Sequence, residues 1–244
     1  MNSLNKKNLI LITARSGSKG LKNKNIKKIN YISLIEFKYR CAKKAMIPKS
    51  EIVVSTESKK YKNFLETKGI KVLERPMHLA KDDTETYPVL IHAINQYKKK
   101  KIFFDNLILL EPATPFTLPK SLKKGYTRFI KKKLDIIASI EETNINSNFV
   151  AELENNSLRK MFQKMHKIKS YRRQLFQSQF KMDGGFYIFK IKNFEKKILF
   201  DNNLKSEGYI VDRIQAHNIE NFLDFQIAKS YFNFFNNKFK VFEN

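Results

Sequence analysis

The sequence predicts an α/β fold: a mostly parallel, Rossmann-like sheet with one small lobe inserted late in the chain. Three observations carry that expectation. Short apolar runs alternate with segments of helical period, the order that gives parallel strands with helices on both faces of a sheet. The alternation breaks once, after residue 144, where a polar, basic and irregular stretch reads as an excursion from the sheet. The length of 244 residues suits one substantial domain, read here as 1–244 with the inserted lobe at 146–181.

The elements follow in order. "LILIT" at 9–13 reads as a buried strand, and residues 33–45 carry helical spacing of apolar side chains. "EIVVST" at 51–56 is a second strand, followed by a helix over 59–68 that ends at Gly69. "IKVLERP" at 70–76 is a short strand and 86–97 a helix. "NLILLEP" at 106–112 is a strongly apolar strand, 119–131 a helix, and "DIIASIEET" at 135–143 another strand. Within the excursion, "AELENNSLRKMF" reads as a hairpin. "GGFYIFKI" at 184–191 returns as a strand, and "NFLDFQIAKSYFNFF" is a terminal helix with apolar positions every three to four residues.

The net charge is +25, from 48 basic and 23 acidic residues. The lysines are spread along the chain beside an excess of Asn, Ile and Phe, the composition that AT-rich coding produces. There are no cysteine pairs for a zinc finger, no sustained heptads and no aromatic RNA-binding signature, so nucleic acid is not the expected partner. Such charge does steer small acidic substrates. No apolar run approaches the roughly 20 residues that span a bilayer, so no membrane partner is expected. The N-terminal apolar run meets charge at Arg15 without a small-residue cleavage site, and reads as strand rather than signal peptide. A single cysteine, Cys41, excludes an intrachain disulfide framework and makes a cytoplasmic setting the expectation.

Loops at the carboxyl ends of parallel strands form the usual ligand crevice. The loop after residue 13, "ARSGSKGLKNKNI", combines small residues with Arg15, Ser18, Lys19, Lys24 and Asn25. Glycines admit a ligand close to backbone N–H groups, and the cations and hydroxyls favour a phosphate chain. The loop after 70–73 leads to Arg75, Asp82, Asp83 and Thr86; that after Leu110 carries Glu111 and Thr114. Together they suit a nucleotide and its polyphosphate. The ATPase phosphate loop is excluded because no Gly-Lys-Ser/Thr occurs. The dinucleotide fingerprint is excluded because its first glycine is missing.

With these residues assembled, the chain resembles the acylneuraminate cytidylyltransferases. The resemblance lies in "ARSGSKGLKNKNI", "INYISLIEF", "IVVSTES", "ERPMHLAKDDTETYPVLIHAI", "LILLEPATPF", "RRQLFQSQFKMDGGFYIF" and "NIENFLDFQIAK", in the family's order and over most of the chain. It implies a nucleotidyltransferase fold, a homodimer whose 146–181 lobe pairs the subunits, and a reaction joining CTP to an acidic nine-carbon 2-keto sugar with release of pyrophosphate and use of Mg²⁺. It implies that Arg15, Ser18, Lys19 and Lys24 hold the triphosphate, with Arg15 and Lys24 neutralising charge during catalysis. Asn25, Arg75 and Thr86 match positions that recognise cytosine and ribose. Glu111, Arg173, Gln174 and Lys181 match the sugar site, with Glu111 standing where relatives often have Gln, and Lys181 where arginine is frequent. Thr117 replaces a common arginine and Asp183 an asparagine. Asn218 and Glu220 stand where two aspartates hold Mg²⁺ in relatives, leaving one carboxylate of the pair. That departure keeps open a catalytically weak nucleotide-sugar-binding homologue; the eight-carbon keto acid of lipopolysaccharide is the alternative substrate.

Asp83 is read both as a possible base and as a cap for the helix at Thr86. The four histidines lack metal-ligand spacing, Cys41 reads as packing, and the Phe-rich stretch 222–242 as a helix face on the core. Asp224 fits either an orienting acid or a helix start.

Overall fold

The computed structural model describes residues 7–168, 176–195 and 201–242. Strand β1 (Asn8–Thr13) is followed by a small ribbon, β2 (Lys28–Ile29) and β3 (Ile32–Ser33), and by helix α1 (Leu34–Ala45). Then come β4 (Ser50–Thr56), α2 (Lys59–Glu66), β5 (Val72–Glu74), α3 (Thr86–Lys99), β6 (Asn106–Leu110), α4 (Pro119–Lys131) and β7 (Ile136–Thr143). After the excursion, which holds α5 (Arg159–Met165), the chain continues as β8 (Gln179–Lys190), α6 (Ile191–Glu195), β9 (Ser206–Ile210), α7 (Phe222–Phe234) and α8 (Asn236–Phe239).

The main sheet has the order β5-β4-β1-β6-β8-β7-β9. Strand β1 is parallel to β4 and β6 and in phase with both: Leu9 sits opposite Glu51 and Leu107, Ile12 opposite Val54 and Leu110. These strands therefore end level, and their loops leave from one edge. Among the described strands of this sheet, only β8 runs against its neighbours, β6 and β7.

Successive side chains of a strand point to opposite faces. Ile10, Ile12, Val54, Ile108 and Leu110 pack with Leu34 and Phe37 of α1, Phe129 of α4 and Phe232 of α7. Leu9, Leu11, Val53, Leu107 and Leu109 pack with Leu90, Ala93 and Ile94 of α3. Burial on both faces is why "LILI" and "LILL" are apolar throughout rather than alternating.

The helix starts are chemically marked. Ser33 Oγ accepts from the Glu36 N–H and the Glu36 carboxylate accepts from the Ser33 N–H, a capping box that opens α1. Pro119 occupies the first turn of α4, where no N–H is needed. Asn221 and Asp224 form a second capping box at α7, which answers the question left open for Asp224 in favour of the helix start.

Several expectations are corrected. The strand expected at 184–191 begins earlier, at Gln179, and is antiparallel. Strand β9, "SEGYI", was not foreseen: it is an edge strand, exposed or half-buried along its length, so it lacks an apolar run. The expected strand 70–76 shortens to Val72–Glu74. In "AELENNSLRKMF" the tight turn is present, with Asn155 and Asn156 both at positive φ and Glu154 bridging Ser157. No ladder follows it, because α5 starts at Arg159. Asp83 is not a cap either: Glu85 precedes α3, and no side chain caps that helix.

Candidate active site

The loops leaving β1, β5 and β6 open onto one cavity of about 490 Å³. Arg15, Ser18, Lys19, Lys24, Asn25, Arg75, Thr86, Glu111, Asn218 and Glu220 all line it. The sequence-predicted groups are thus brought together, with three exceptions. Lys181 pairs with Glu141 at 2.8 Å and lines an adjoining cavity that shares Asn218 and Glu220 with the first. Arg173 and Gln174 lie outside the described residues.

The shape of the site rests on a residue the sequence reading passed over, Glu57, just beyond β4. Its Oε1 accepts from the Ser16 N–H at 2.7 Å and the Ser16 hydroxyl at 2.8 Å. Its Oε2 accepts from Arg75 Nη2 at 3.1 Å and Nε at 3.3 Å. Both charged side chains are almost fully buried, 3% and 4% exposed. Burial pushes the Glu57 carboxyl up, but the hydrogen bonds, led by those of Ser16, outweigh it and leave the group below the usual carboxylate range. One carboxylate therefore fixes both the loop after β1 and the guanidinium across the cavity.

The far wall is the segment around Ile219. Lys24 Nζ donates to the Ile219 carbonyl at 2.6 Å, and the Ile219 N–H donates to Ala113 O at 2.8 Å. The Asp224 carboxylate accepts from the N–H groups of Glu220 and Asn221 at 2.9 and 3.0 Å. Gly20 lies directly against this segment: a Cβ there would come within 2.3 Å of the Glu220 carbonyl. Its lack of a side chain serves that approach. Gly17 has open space around it. Burial lowers the Lys24 ammonium, opposed by the negative charge of Glu220 and reinforced by Arg15.

Asn25 donates from Nδ2 to the Arg15 carbonyl at 2.8 Å, which pins the backbone of the first loop. Arg15 reaches across to Asp82 at 2.7 Å, and Lys19 meets the same carboxylate at 3.0 Å. The hydrogen bond from Lys19, with that from Arg15, holds the Asp82 carboxyl below its ordinary value. Asp82 was quoted but given no role in the sequence reading; the signal was its place in a loop facing the cationic one.

A third missed residue is fully buried in α1. Lys38 of α1 is 0% exposed and donates to Thr117 Oγ1 at 2.5 Å and to the Gly185 carbonyl at 2.8 Å. Burial lowers its ammonium to about 8, against the charges of Asp183 and Glu111. Its position was readable: it lies four residues after Leu34 and three before Cys41, on the apolar stripe of its helix. Burial also pushes the Cys41 thiol up to about 12, which agrees with a packing role.

Among the described residues no three His, Cys, Asp or Glu side chains gather as a metal cluster. His217 contacts the Asp224 carbonyl through Nε2 at 2.8 Å, a structural role. Asn218 Nδ2 donates to Glu220 Oε1 at 3.0 Å, which leaves the amide oxygen and Glu220 Oε2 as oxygen donors with no partner among the described residues.

Residues 9–234 match a family model described as "Cytidylyltransferase". The "Post-translational flagellin modification protein B" of Campylobacter coli is 31% identical over 230 residues, 91% of this chain and 93% of that protein. The "CMP-N,N'-diacetyllegionaminic acid synthase" of Campylobacter jejuni is 30% identical over 228 residues, with the same coverage. Among solved structures, CMP:2-keto-3-deoxy-manno-octonic acid synthetase complexed with CTP superposes with a TM-score of 0.66 at 14% identity, over 93% of this chain and 98% of that one. That likeness concerns the fold.

Replacing Glu57 by Ala leaves the buried Arg75 without its partner, and should cost about 3 kcal/mol of stability in urea unfolding at neutral pH. Because the native Glu57 pKa is depressed, its contribution is complete above the unfolded value of about 4.3 and is lost as pH falls through the folded one. The variant should therefore show the shallower loss of stability on acidification. Equal unfolding midpoints at neutral pH would contradict the role given to Glu57.

Proposed function

The chain belongs to the cytidylyltransferase family, and on that premise we propose that it joins CTP to a nine-carbon 2-keto sugar acid of the sialic or legionaminic type, releasing pyrophosphate. The observation that carries the reading is the cavity itself. Arg15, Lys19 and Lys24 line one side and Arg75 and Thr86 another, with the carboxyl ends of the parallel strands beneath. Relatives similar along nearly their whole length, one named a CMP-N,N'-diacetyllegionaminic acid synthase, support the sugar class.

In the reaction, the anomeric hydroxyl oxygen of the sugar forms a bond to the α-phosphorus of CTP. The bond from that phosphorus to the bridging oxygen breaks, pyrophosphate leaves with the electron pair, and the hydroxyl proton passes to solvent. Arg15, Lys19 and Lys24 neutralise the charge growing on the leaving group, so catalysis is mainly positioning and electrostatics. Ser18 adds a hydroxyl donor. Asn25, Arg75 and Thr86 address the base and ribose; Glu57 occupies two of the Arg75 donors and leaves its outer nitrogen for the nucleotide.

Mg²⁺ belongs to the same proposal. The donor set fits it sparingly: Glu220 supplies one carboxylate oxygen and Asn218 an amide oxygen, and phosphate oxygens and water would complete the shell. When bound, the ion would supply further neutralisation of the phosphates. The homodimer is also proposed. Val150, Leu153, Leu158 and Phe162 stand exposed in the excursion after β7, with Ile145 at its base. An apolar surface of this kind favours a partner, here a second copy. Sedimentation should give a dimer, and a monomer at micromolar concentration would remove that part.

Pyrophosphate release with CTP and Mg²⁺ should appear with one member of a panel of nine-carbon keto acids and vanish with EDTA. Lys24→Ala should lower it about 100-fold with the fold intact by circular dichroism. Silence across the panel with CTP still bound would instead indicate a non-catalytic nucleotide-sugar-binding protein, and release with the eight-carbon acid alone would move the substrate.

The triphosphate must also displace Asp82 from Arg15 and Lys19. Asp82→Asn should therefore tighten CTP binding, by roughly threefold for so exposed a pair. Weaker binding in calorimetry would instead give Asp82 the task of orienting Arg15.

A further inference from the structure

Resting on the acid-sugar reading of this cavity, we propose that Glu111 meets the acidic sugar as a neutral carboxylic acid, donating a hydrogen bond, so that sugar binding takes up one proton. Glu111 follows β6 and lines the cavity. Its carboxylate lies against the backbone of Gly184, where a Cβ would come within 2.6 Å of Oε2. The side chain makes no hydrogen bond or ion pair among the described residues, and none links it to Asn218 or Glu220.

A second carboxylate borders the same backbone. Asp183 is 7% exposed; its Oδ1 accepts from the Gly185 N–H at 2.9 Å and from the Ser139 hydroxyl. Its Oδ2 is buried with no partner. Lys38, the cation that acts most strongly on Glu111, donates its hydrogen bonds to Thr117 and Gly185 and not to either carboxylate. The ammonium of Lys38 thus faces two carboxylates and bonds to neither.

The charged and titratable groups acting on Glu111 come from three elements: Lys38 of α1, Asp183 and Tyr187 of β8, and Lys24 of the loop after β1. Burial raises the Glu111 carboxyl; Lys38 opposes this, Asp183 adds to it and Lys24 opposes it. With both carboxylates ionised, Lys38 and Lys24 only balance Asp183 and Glu111; with Glu111 protonated the group is net positive. An anionic sugar beside it favours the protonated form, and by linkage its binding draws in a proton from solvent. An ionised carboxylate only accepts hydrogen bonds, whereas the protonated acid donates one, as an amide would. No bond of the sugar changes in this step. Sugar affinity therefore falls as pH rises through the folded Glu111 pKa.

The test compares wild type with Glu111→Gln, using N,N'-diacetyllegionaminic acid and CTP. In wild type, kcat/KM for the sugar should fall by about tenfold per pH unit in the alkaline limb. In Glu111→Gln that limb should disappear, so that the variant overtakes wild type at high pH while both bind CTP alike. The same alkaline limb in the variant, or a loss of sugar turnover in it at every pH, would overturn the proposal. A second readout needs no sugar. In unliganded protein labelled at the glutamate carboxyl carbons, one resonance absent from Glu111→Gln should titrate above the ordinary glutamate range; an ordinary titration would overturn the proposal by itself. No turnover of any acid by either chain, with that resonance in place, would overturn the acid-sugar reading and the proposal with it.

Discussion

The in-phase parallel pairing of β1 with β4 and β6 is the constraint on which the rest depends. Because the three strands finish level, the loops carrying Arg15, Glu57 and Glu111 leave from one edge. Parallel strands need helical crossovers between them: α1 and α4 cover one face, together with the terminal helix α7, and α3 covers the other. The core is thereby closed to water on both faces, and the open edge is left for the cavity. Antiparallel pairing of β1 with either neighbour would carry one of those loops to the opposite end of the sheet.

What could be read from the sequence follows the same physics. The parallel half was legible because full burial on both faces makes a strand uniformly apolar, as in 9–12 and 107–110. The gathering of cations in the loop after β1 was legible because its residue types stand out wherever the loop is folded. Strand β9 was not, since an edge strand that is half exposed leaves little pattern. The direction of β8 was not either, because a strand's residues do not declare which way it runs. Glu57 was hidden for another reason: a carboxylate next to serines reads as solvent-exposed until the arginine eighteen residues later is seen to close over it. Lys38 violated the pattern openly by sitting on an apolar stripe, and the violation marked a buried polar cluster.

The cavity also shows how a chain of net charge +25 keeps cations together without strong mutual repulsion. Arg15 and Lys19 share Asp82, Arg75 is held by Glu57, and Lys24 by a backbone carbonyl with Glu220 nearby. The partners differ in permanence. Glu57 is buried and fixes geometry, whereas Asp82 is open to water and stands where an incoming anion can compete with it.

The hydrogen bond from Lys24 to Ile219 joins residues 195 positions apart. During synthesis on a ribosome, the loop after β1 emerges early and waits for nearly the whole chain before its lysine finds that carbonyl. Strand β1 is likewise made long before β6, its second neighbour. Such distant closures carry a loop-entropy cost before any contact rewards them. The cationic loop, made first, is thus among the last to gain all its contacts, and a nascent chain halted before residue 218 would carry it without the wall that completes it.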